Sequence, residues 1–292
     1  MKTLRKVGLE TGALTDEEIR YIDTRVVETV RPLLVGRRLF PVFRLPHAGF
    51  KTVRGYKETD MSPATIDMNG DTDSFDRIEL EGFDVKVPVI SKGFKLNWRD
   101  IIAARNGGIP IDTRSVENAS RQCAEEEDKL LLAGEYTGWR ALGIEGVMTA
   151  TGRNTKASAG AWPANSLTDC SAAIGELETD GHYGPYALIL RSSWLAKLRA
   201  LVTNTAVKWL DVIKDLFSAG IYVSDNLYTS GGALTSAAIV EPGQENFEAV
   251  IGQDLSTFMQ QDRSMNTFGK VFEVVVPRVK RPTSICELTG LT

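Results

Sequence analysis

Apolar residues recur at helical spacing in the first part of the chain, between residues 15 and 34. The apolar positions are Ile19, Ile22, Val26 and Val30. Steps of three and four residues place these side chains on one face of a helix. Thr15 stands at the N-cap position, and Glu18, three residues later, completes the pattern of a capping box. The pattern predicts an amphipathic helix whose apolar face needs a partner.

Between residues 50 and 88 the pattern changes to the alternation of a β-strand. Val85, Val87 and Val89 alternate with single other residues, and a polar, glycine-containing stretch at 68–76 predicts a turn. The result is a long two-stranded hairpin. An isolated two-stranded ribbon is marginally stable in water. We therefore expect this hairpin to lie on another subunit.

A third pattern, at residues 112–134, predicts about six turns of helix at 3.6 residues per turn. Asp112 or Thr113 is suited to cap its start, and Gly134 to close its C-terminus. The apolar face of this helix is formed by Val116, Ala119, Cys123, Leu130 and Leu131.

The second half of the chain alternates strand and helix patterns and ends in a returning C-terminal strand pattern at 270–288. The apolar strand that ends at Leu190 runs directly into a helix pattern. It is not followed by the glycine-rich turn with which many α/β enzymes hold phosphate. This half is predicted to be a mixed region of helices and strands without a phosphate-binding loop.

Composition limits the class of protein. Of the 292 residues, 42% are hydrophobic and 25% are charged, which is typical of soluble globular domains. The chain contains no apolar run of the ~20 residues that span a bilayer, and its charged first ten residues are unlike a secretory signal. A net charge of −4 argues against a broad nucleic-acid surface. We expect a soluble, cytoplasmic protein without a membrane or specific nucleic-acid partner.

The chemistry-bearing residues do not form a recognisable catalytic or metal motif. The three cysteines and two histidines have no metal-ligand spacing, and buried, apolar cysteines are expected. The acidic run Glu125–Asp128 cannot converge on one ion, because consecutive helix positions point about 100° apart. A solvated or intersubunit face is predicted for it. We expect no metal and no cofactor.

Three other stretches contain residues that occur in enzyme sites. Ser192 and Ser193 lack the Gly-x-Ser-x-Gly elbow of hydrolases. Residues 229–232 are more typical of a loop than of a phosphate nest. Trp98 could stack on a flavin. A cofactor-binding enzyme is therefore an alternative function for this chain. The patterns otherwise favour a protein that is not an enzyme.

Seven collinear segments together resemble the encapsulins, shell proteins of bacteria and archaea that are related to the major capsid proteins of tailed phages. The segments are residues 16–40, 95–134, 143–153, 180–190, 209–227, 247–259 and 278–288. The chain looks most similar to the longer encapsulins, which enclose ferritin-like, iron-oxidising cargo. A major capsid protein of a virus or prophage is the nearest alternative.

The resemblance implies an α+β protein with the tailed-phage major capsid fold of the Hong Kong 97 type. The parts it implies are an N-terminal arm with a lumen-facing helix (1–49), an extended loop (50–88), a peripheral domain (89–167) with a spine helix (112–134), an axial domain (168–262) and a C-terminal return to the peripheral domain (263–292). Such a chain would self-assemble into an icosahedral nanocompartment.

The resemblance also implies two functional surfaces. In the family, the loop between the two axial-domain helices lines the fivefold pore, and here it maps to Thr203, Asn204 and Thr205. An ordinary polar loop is the alternative. The family's N-terminal helix forms an apolar groove for the C-terminal targeting peptide of the cargo protein, with simple core packing as the alternative. The matching residues are Ile22, Val26, Val30, Leu33, Arg38 and Leu39.

Overall fold

The structure is a computed structural model that describes residues 14–30, 35–58, 61–64, 66, 68, 75–107, 113–135, 142–228, 237–262 and 265–291. Its helices are α1 (Asp16–Val30), α2 (Gly36–Leu39), α3 (Trp98–Gly107), α4 (Arg114–Ala133), α5 (Ser166–Thr179), α6 (Ser192–Leu198) and α7 (Trp209–Ile213). Its strands are β1 (Val42–Arg44), β2 (Thr52–Glu58), β3 (Leu80–Lys86), β4 (Val89–Leu96), β5 (Asn154–Ala157), β6 (Ala187–Leu190), β7 (Gly220–Val223), β8 (Ala237–Val240), β9 (Phe247–Gln261), β10 (Thr267–Val279) and β11 (Ile285–Thr289).

One layer of the molecule is a four-stranded sheet with the strand order β1-β9-β10-β4. The long strands β9 and β10 are antiparallel, and β1 joins the edge of β9 in parallel. Helix α4 packs on this sheet, and α1 and α2 pack on α4. The five apolar residues predicted for the face of α4 are all buried. Hydrophobic burial of this face therefore joins the helix to the sheet.

Local signals set the ends of two helices. The Thr15 N–H donates to Glu18 Oε2 at 2.7 Å, and the Glu18 N–H donates to Thr15 Oγ1 at 3.3 Å, which confirms the capping box. Helix α4 begins at Arg114 with Thr113 in the N-cap position, while Asp112 lies outside the described residues. Gly134 closes it with a positive φ of 61°, as predicted.

The second layer is a five-stranded sheet with the order β5-β11-β8-β6-β7, covered by α5, α6 and α7. The predicted strand at 270–288 is wrong as a single element, because it divides into β10 and β11 at the turn Pro282–Ser284. Proline has no N–H to donate to a ladder, so a strand readily stops there.

Two strands pair across the parts that the resemblance implies, and the division itself stays a prediction. Strand β9 falls within 168–262 and lies in the sheet that packs on α4. Strand β11 falls within 263–292 and pairs with β5 of the implied peripheral part on one side and with β8 on the other. Strand pairing is a long-range choice that a local pattern does not specify.

In the part of the chain that the structure describes, none of the helices is long and apolar enough to cross a lipid bilayer. Cys123, Cys170 and Cys286 are free and buried, as predicted. Burial raises the pKa of each of these thiols to about 12, so the reactive thiolate form is suppressed.

Candidate assembly and cargo-binding surfaces

Strands β2 and β3 form the predicted two-stranded hairpin, paired from Thr52 with Lys86 to Glu58 with Leu80. Its base is fixed to the body of the subunit, because the Arg278 guanidinium donates to the Arg54 carbonyl at 2.9 Å. Beyond this base the two strands belong to a sheet of their own. The hairpin is therefore an arm whose base is attached to the body of the subunit.

The far part of this arm exposes large apolar side chains. Ile66 is 102% exposed, Met68 is 99% exposed and Phe75 is 92% exposed. Further exposed apolar residues of the arm are Tyr56, Met61, Ile78 and Leu80. An apolar set of this size on one projecting element is typical of a surface that another chain covers.

Helix α1 turns its predicted apolar face inward. Ile22 and Val26 are buried in the core cluster that contains α4, and Leu39 of α2 is buried there too. These three residues pack within the subunit, as in the core-packing alternative. Val30 ends α1, but its side chain lies outside the described part, as does all of Leu33.

Arg38 is the exposed member of the predicted groove set. Its guanidinium lies 5.9 Å from the centre of the Tyr222 ring, and its carbonyl accepts a 3.5 Å hydrogen bond from the Tyr222 hydroxyl. The outward face of α1 carries Tyr21, which is 38% exposed, with Arg25 against its ring. Helices α1 and α2 thus each expose polar and aromatic side chains outside their buried apolar residues.

The predicted pore residues form the tip of a tight turn between α6 and α7. Leu201 and Lys208 make an isolated bridge, and the Val202 N–H donates to the Val207 carbonyl at 2.8 Å. Thr203, Asn204 and Thr205 are all exposed at the tip. Their exposure is compatible with a pore lining and with an ordinary polar loop.

The three tip residues have different local roles. The Thr205 hydroxyl donates to the Val202 carbonyl at 3.0 Å, so it serves the turn itself. Asn204 has a φ of +63°, a conformation that asparagine tolerates better than most residues. Leu201 and Val207, which flank the tip, are exposed apolar residues. The turn therefore combines a polar tip with apolar flanks.

The structure corrects one prediction and adds one surface. Glu127 and Asp128 are buried against α2 and the sheet, so a solvated face is wrong for these two members of the acidic run. On the open side of the four-stranded sheet, Phe258 and Phe268 are exposed, and the Lys95 amine lies 5.4 Å from the Phe268 ring centre. Strand alternation in β9 and β10 was the available signal for this aromatic face.

The enzyme alternatives gain no support from the described residues. No group of three or more His, Cys, Asp or Glu residues among them could hold a metal ion. The Trp98 ring is approached by Arg99 of its own helix at 5.5 Å. Residues 229–232 lie outside the described part of the chain.

A protein-family model described as an encapsulating protein for peroxidase, Linocin_M18, matches residues 10–275. The chain is 31% identical over 287 residues to the type 1 encapsulin shell protein EncA of Myxococcus xanthus, covering 97% of this chain and 96% of the relative. It is 26% identical over 277 residues to a diheme-cytochrome-encapsulin shell fusion protein of Kuenenia stuttgartiensis, covering 94% of this chain and 73% of that protein.

Solved structures show the same fold. A virus-like particle from Pyrococcus furiosus matches with a TM-score of 0.70 at 19% identity, covering 94% of this chain and 98% of that one. The capsid of Myoviridae phage XM1 matches with a TM-score of 0.62 at 14% identity, covering 87% and 90% of the two chains. The fold is therefore that of tailed-phage capsid proteins, of the Hong Kong 97 type, and the chain belongs to the encapsulin family of shell proteins.

Proposed function

We propose that copies of this chain assemble into a closed, hollow, icosahedral shell that encloses a cargo protein. The observation that carries this proposal is the arm, 50–88, which exposes Ile66, Met68 and Phe75 almost completely on a chain with a capsid fold. Leaving these side chains in water forgoes about 1.5–3 kcal/mol of burial energy for each of them. Contact with a neighbouring subunit supplies that burial.

The aromatic face of the four-stranded sheet is the surface that we propose for the neighbour's arm. Phe258 and Phe268 present apolar area there, while Lys95 adds positive charge at its edge. Strand β3 of the arm carries the exposed acidic residues Glu81 and Asp84, of which Asp84 already pairs with Arg54 of β2. Apolar contact with opposite charge at the rim is a favourable combination for a repeated subunit interface.

We propose that the cargo peptide binds to the exposed surfaces around Arg38 and Tyr21. These surfaces lie beside the residues that match the family's peptide groove. Ile22, Val26 and Leu39 support these surfaces from the core below them. A short C-terminal peptide of the cargo protein would bind there weakly, and many copies on one shell would raise the effective affinity. The groove set and the pore loop Thr203–Thr205 are proposals that rest on the resemblance.

We propose a ferritin-like, iron-storing protein as the cargo, because the resemblance is strongest to encapsulins of that kind. Relatives have other associations: the family model is described as encapsulating a peroxidase, and one relative is a fusion with a diheme cytochrome. The shell chain itself is proposed to have no catalytic role. On the strength of the family alone, we place the assembled shell in the cytoplasm.

Purification of shells from the native host, followed by mass spectrometry of the non-shell protein, tests the cargo proposal. A ferritin-like protein whose C-terminal peptide is needed for loading is the expected result. A different enclosed enzyme would overturn the iron-storage part and leave the shell proposal standing. Capsids that hold the organism's packaged DNA would support the viral alternative.

A further inference from the structure

A buried ion cluster joins helix α2 to α4 and to the four-stranded sheet. The Arg37 guanidinium donates from Nε to Glu127 Oε1 at 2.5 Å, from Nη1 to Asp254 Oδ1 at 2.9 Å and from Nη2 to Glu273 Oε2 at 3.1 Å. The Glu127 and Glu273 side chains are fully buried, at 0% exposure. One guanidinium on α2 therefore holds carboxyl groups from α4, β9 and β10.

The formal charges of this cluster do not balance. Arg37 and Arg44 supply two positive charges, since Arg44 donates to Asp254 Oδ2 at 2.5 Å. If Glu127, Asp254 and Glu273 were all ionised, their three negative charges would leave a net charge of −1. A buried charge without a partner costs several kcal/mol, roughly 3–5 when an ion pair is broken. One bound proton makes the cluster neutral.

Two atoms are suited to receive this proton. Glu127 Oε2 and Glu273 Oε1 are buried and have no hydrogen-bond partner among the described residues. Each is an acceptor that would cost about 1–3 kcal/mol if it stayed unsatisfied. A carboxyl proton donated by one glutamate to the other would satisfy both oxygens. A metal cation does not fit this position, because the Arg37 guanidinium already lies among the three carboxyl groups.

We propose that Glu127 and Glu273 share one proton, and that this proton is a latch that keeps helix α2 on the spine helix α4. Without the proton, two adjacent buried carboxylates repel each other, and the single Arg37 guanidinium cannot neutralise both together with Asp254. Helix α2 is the short element of the cluster, so it is the part that would move.

The packing of α2 shows how closely it depends on this contact. The Gly36 N–H donates to Asp128 Oδ1 at 2.8 Å, and a Cβ on Gly36 would lie 2.7 Å from a methyl group of Leu131. Burial raises the pKa of Asp128 to about 7, with a smaller contribution from the neighbouring Glu127 charge. Ionisation of Asp128 adds a further negative charge beside the pair.

Several titratable or charged groups face the pair from the surrounding elements. They are Arg37 of α2, Cys123 and Asp128 of α4, Arg44 of β1, Lys92 of β4 and Asp254 of β9. Burial and the adjacent Glu127 raise the pKa of Glu273 to about 9. Burial acts against ionisation of Asp254 too, but hydrogen bonds and charge from Arg44 and Arg37 hold its pKa below the usual range. Asp254 therefore stays ionised, and the pair carries the proton.

The direction of the pH dependence follows from these shifts. Glu273 has a higher pKa in the folded subunit than in the unfolded chain, where it is close to 4.5. Its contribution to stability is therefore complete below the unfolded value and is lost progressively as pH rises to about 9. The same linkage applies to any opening of α2 that releases the proton to water.

Hydrogen–deuterium exchange of the assembled protein between pH 6 and pH 10 tests the latch. After correction for intrinsic exchange, protection of the peptide with residues 36–40 should fall about tenfold per pH unit between pH 8, which lies above the Asp128 pKa of about 7, and the Glu273 pKa of about 9, and then level off. A peptide from the exposed turn 201–208, whose local opening leaves the cluster intact, should show no such fall. Protection of α2 that does not change with pH would overturn the proposal.

Substitutions separate the shared proton from simple packing. In Glu273→Gln or Glu127→Gln, the amide supplies the donor permanently, so the fall in α2 protection above pH 8 should disappear while the shell still forms; the dependence from Asp128, near pH 7, should remain. Glu248→Gln is the matched control, because Glu248 is also buried but has two cationic partners, Arg278 and Lys280. It should keep the wild-type slope. A wild-type slope in Glu273→Gln would contradict the proposal.

Infrared spectroscopy of the wild-type protein keeps the proposal testable if the glutamine variants do not fold. The C=O stretch of a protonated, buried carboxyl group should be present at pH 8, above the pKa of Asp128, and should be lost as Glu273 ionises at higher pH. A spectrum at pH 8 without this band would overturn the shared proton.

Discussion

Gly134 and Gly146 lie backbone against backbone where the spine helix α4 ends. A Cβ on either residue would come within 2.3 Å of the nitrogen of the other. Directly beyond this crossing, the Met148 N–H donates to the Leu132 carbonyl at 2.8 Å. The chain thus returns along the last turn of the helix, and two residues without side chains make that return possible.

Gly146→Ala should destabilise the subunit by about 1–3 kcal/mol, because the new methyl group meets backbone atoms that cannot rotate away. The midpoint of guanidinium unfolding measures the effect. Gly175→Ala is the control, since it lies in helix α5 with nothing within 4 Å of the added Cβ. This control should be neutral or stabilising by up to about 1 kcal/mol. Equal stability of the wild type and Gly146→Ala would show that the crossing is looser than described.

Met68→Asp should prevent shell assembly without unfolding the subunit. The Met68 side chain is 99% exposed, so the subunit loses no internal packing, but a buried charge at the subunit interface would have no partner. Light scattering after size exclusion should give small species with an unchanged circular dichroism spectrum. Arg77→Gln, an exposed polar change on the same arm at a residue without a proposed interface contact, should assemble normally. Complete shells from Met68→Asp would contradict the role of the arm.

Arg38→Ala should reduce cargo loading and leave the shell intact. Arg38 is exposed and its main packing partner is the Tyr222 ring, so the cost to folding is small, while a peptide at this surface loses a cation. The measurement is the mass of non-shell protein per particle. Loading at the wild-type level would show that Arg38 does not contribute to binding of the cargo peptide.

Ile22→Ala is the contrasting change at the same helix. Because Ile22 is fully buried, it should cost about 2–5 kcal/mol of unfolding free energy through lost burial and a cavity. Cargo loading should fall only as far as the folded fraction falls. Normal stability with poor loading would mean that Ile22 contacts the cargo peptide directly.

Thr203→Val combined with Asn204→Gly should slow the entry of hydrated cations if the turn lines a pore. The two changes remove the hydroxyl and the amide, and glycine keeps the φ of +63° at position 204 without strain. Stopped-flow quenching of a dye trapped in the lumen measures the rate. An unchanged rate would identify the turn as an ordinary surface loop.

Sequence reasoning succeeded where the signal is local. The capping box of Thr15 and Glu18 and the positive φ of Gly134 depend on residues within a few positions of one another. It also found the two-stranded hairpin, but it treated the stretch 68–76 as a polar turn, where Met68 and Phe75 expose apolar side chains. The capsid fold came from the order of seven segments taken together.

It failed where a partner distant in sequence decides the outcome. Glu127 and Asp128 look solvated on their own helix, but α2 lies some 90 positions earlier and covers them. Ile22 and Val26 have an apolar pattern that fits a groove and a core equally well, and their burial in the cluster with α4 depends on a partner that the local pattern does not show. The protonation of Glu273 likewise depends on groups that lie far away in sequence: Arg37 of α2, Glu127 of α4 and Asp254 of β9.

Electron microscopy of the protein expressed alone, together with its solution mass, tests the central claim most directly. We predict closed, hollow particles of uniform diameter, in which the arm of each subunit lies on the sheet face of its neighbour. A stable monomer or dimer at physiological pH and salt would contradict the assignment of this chain as a self-assembling shell protein.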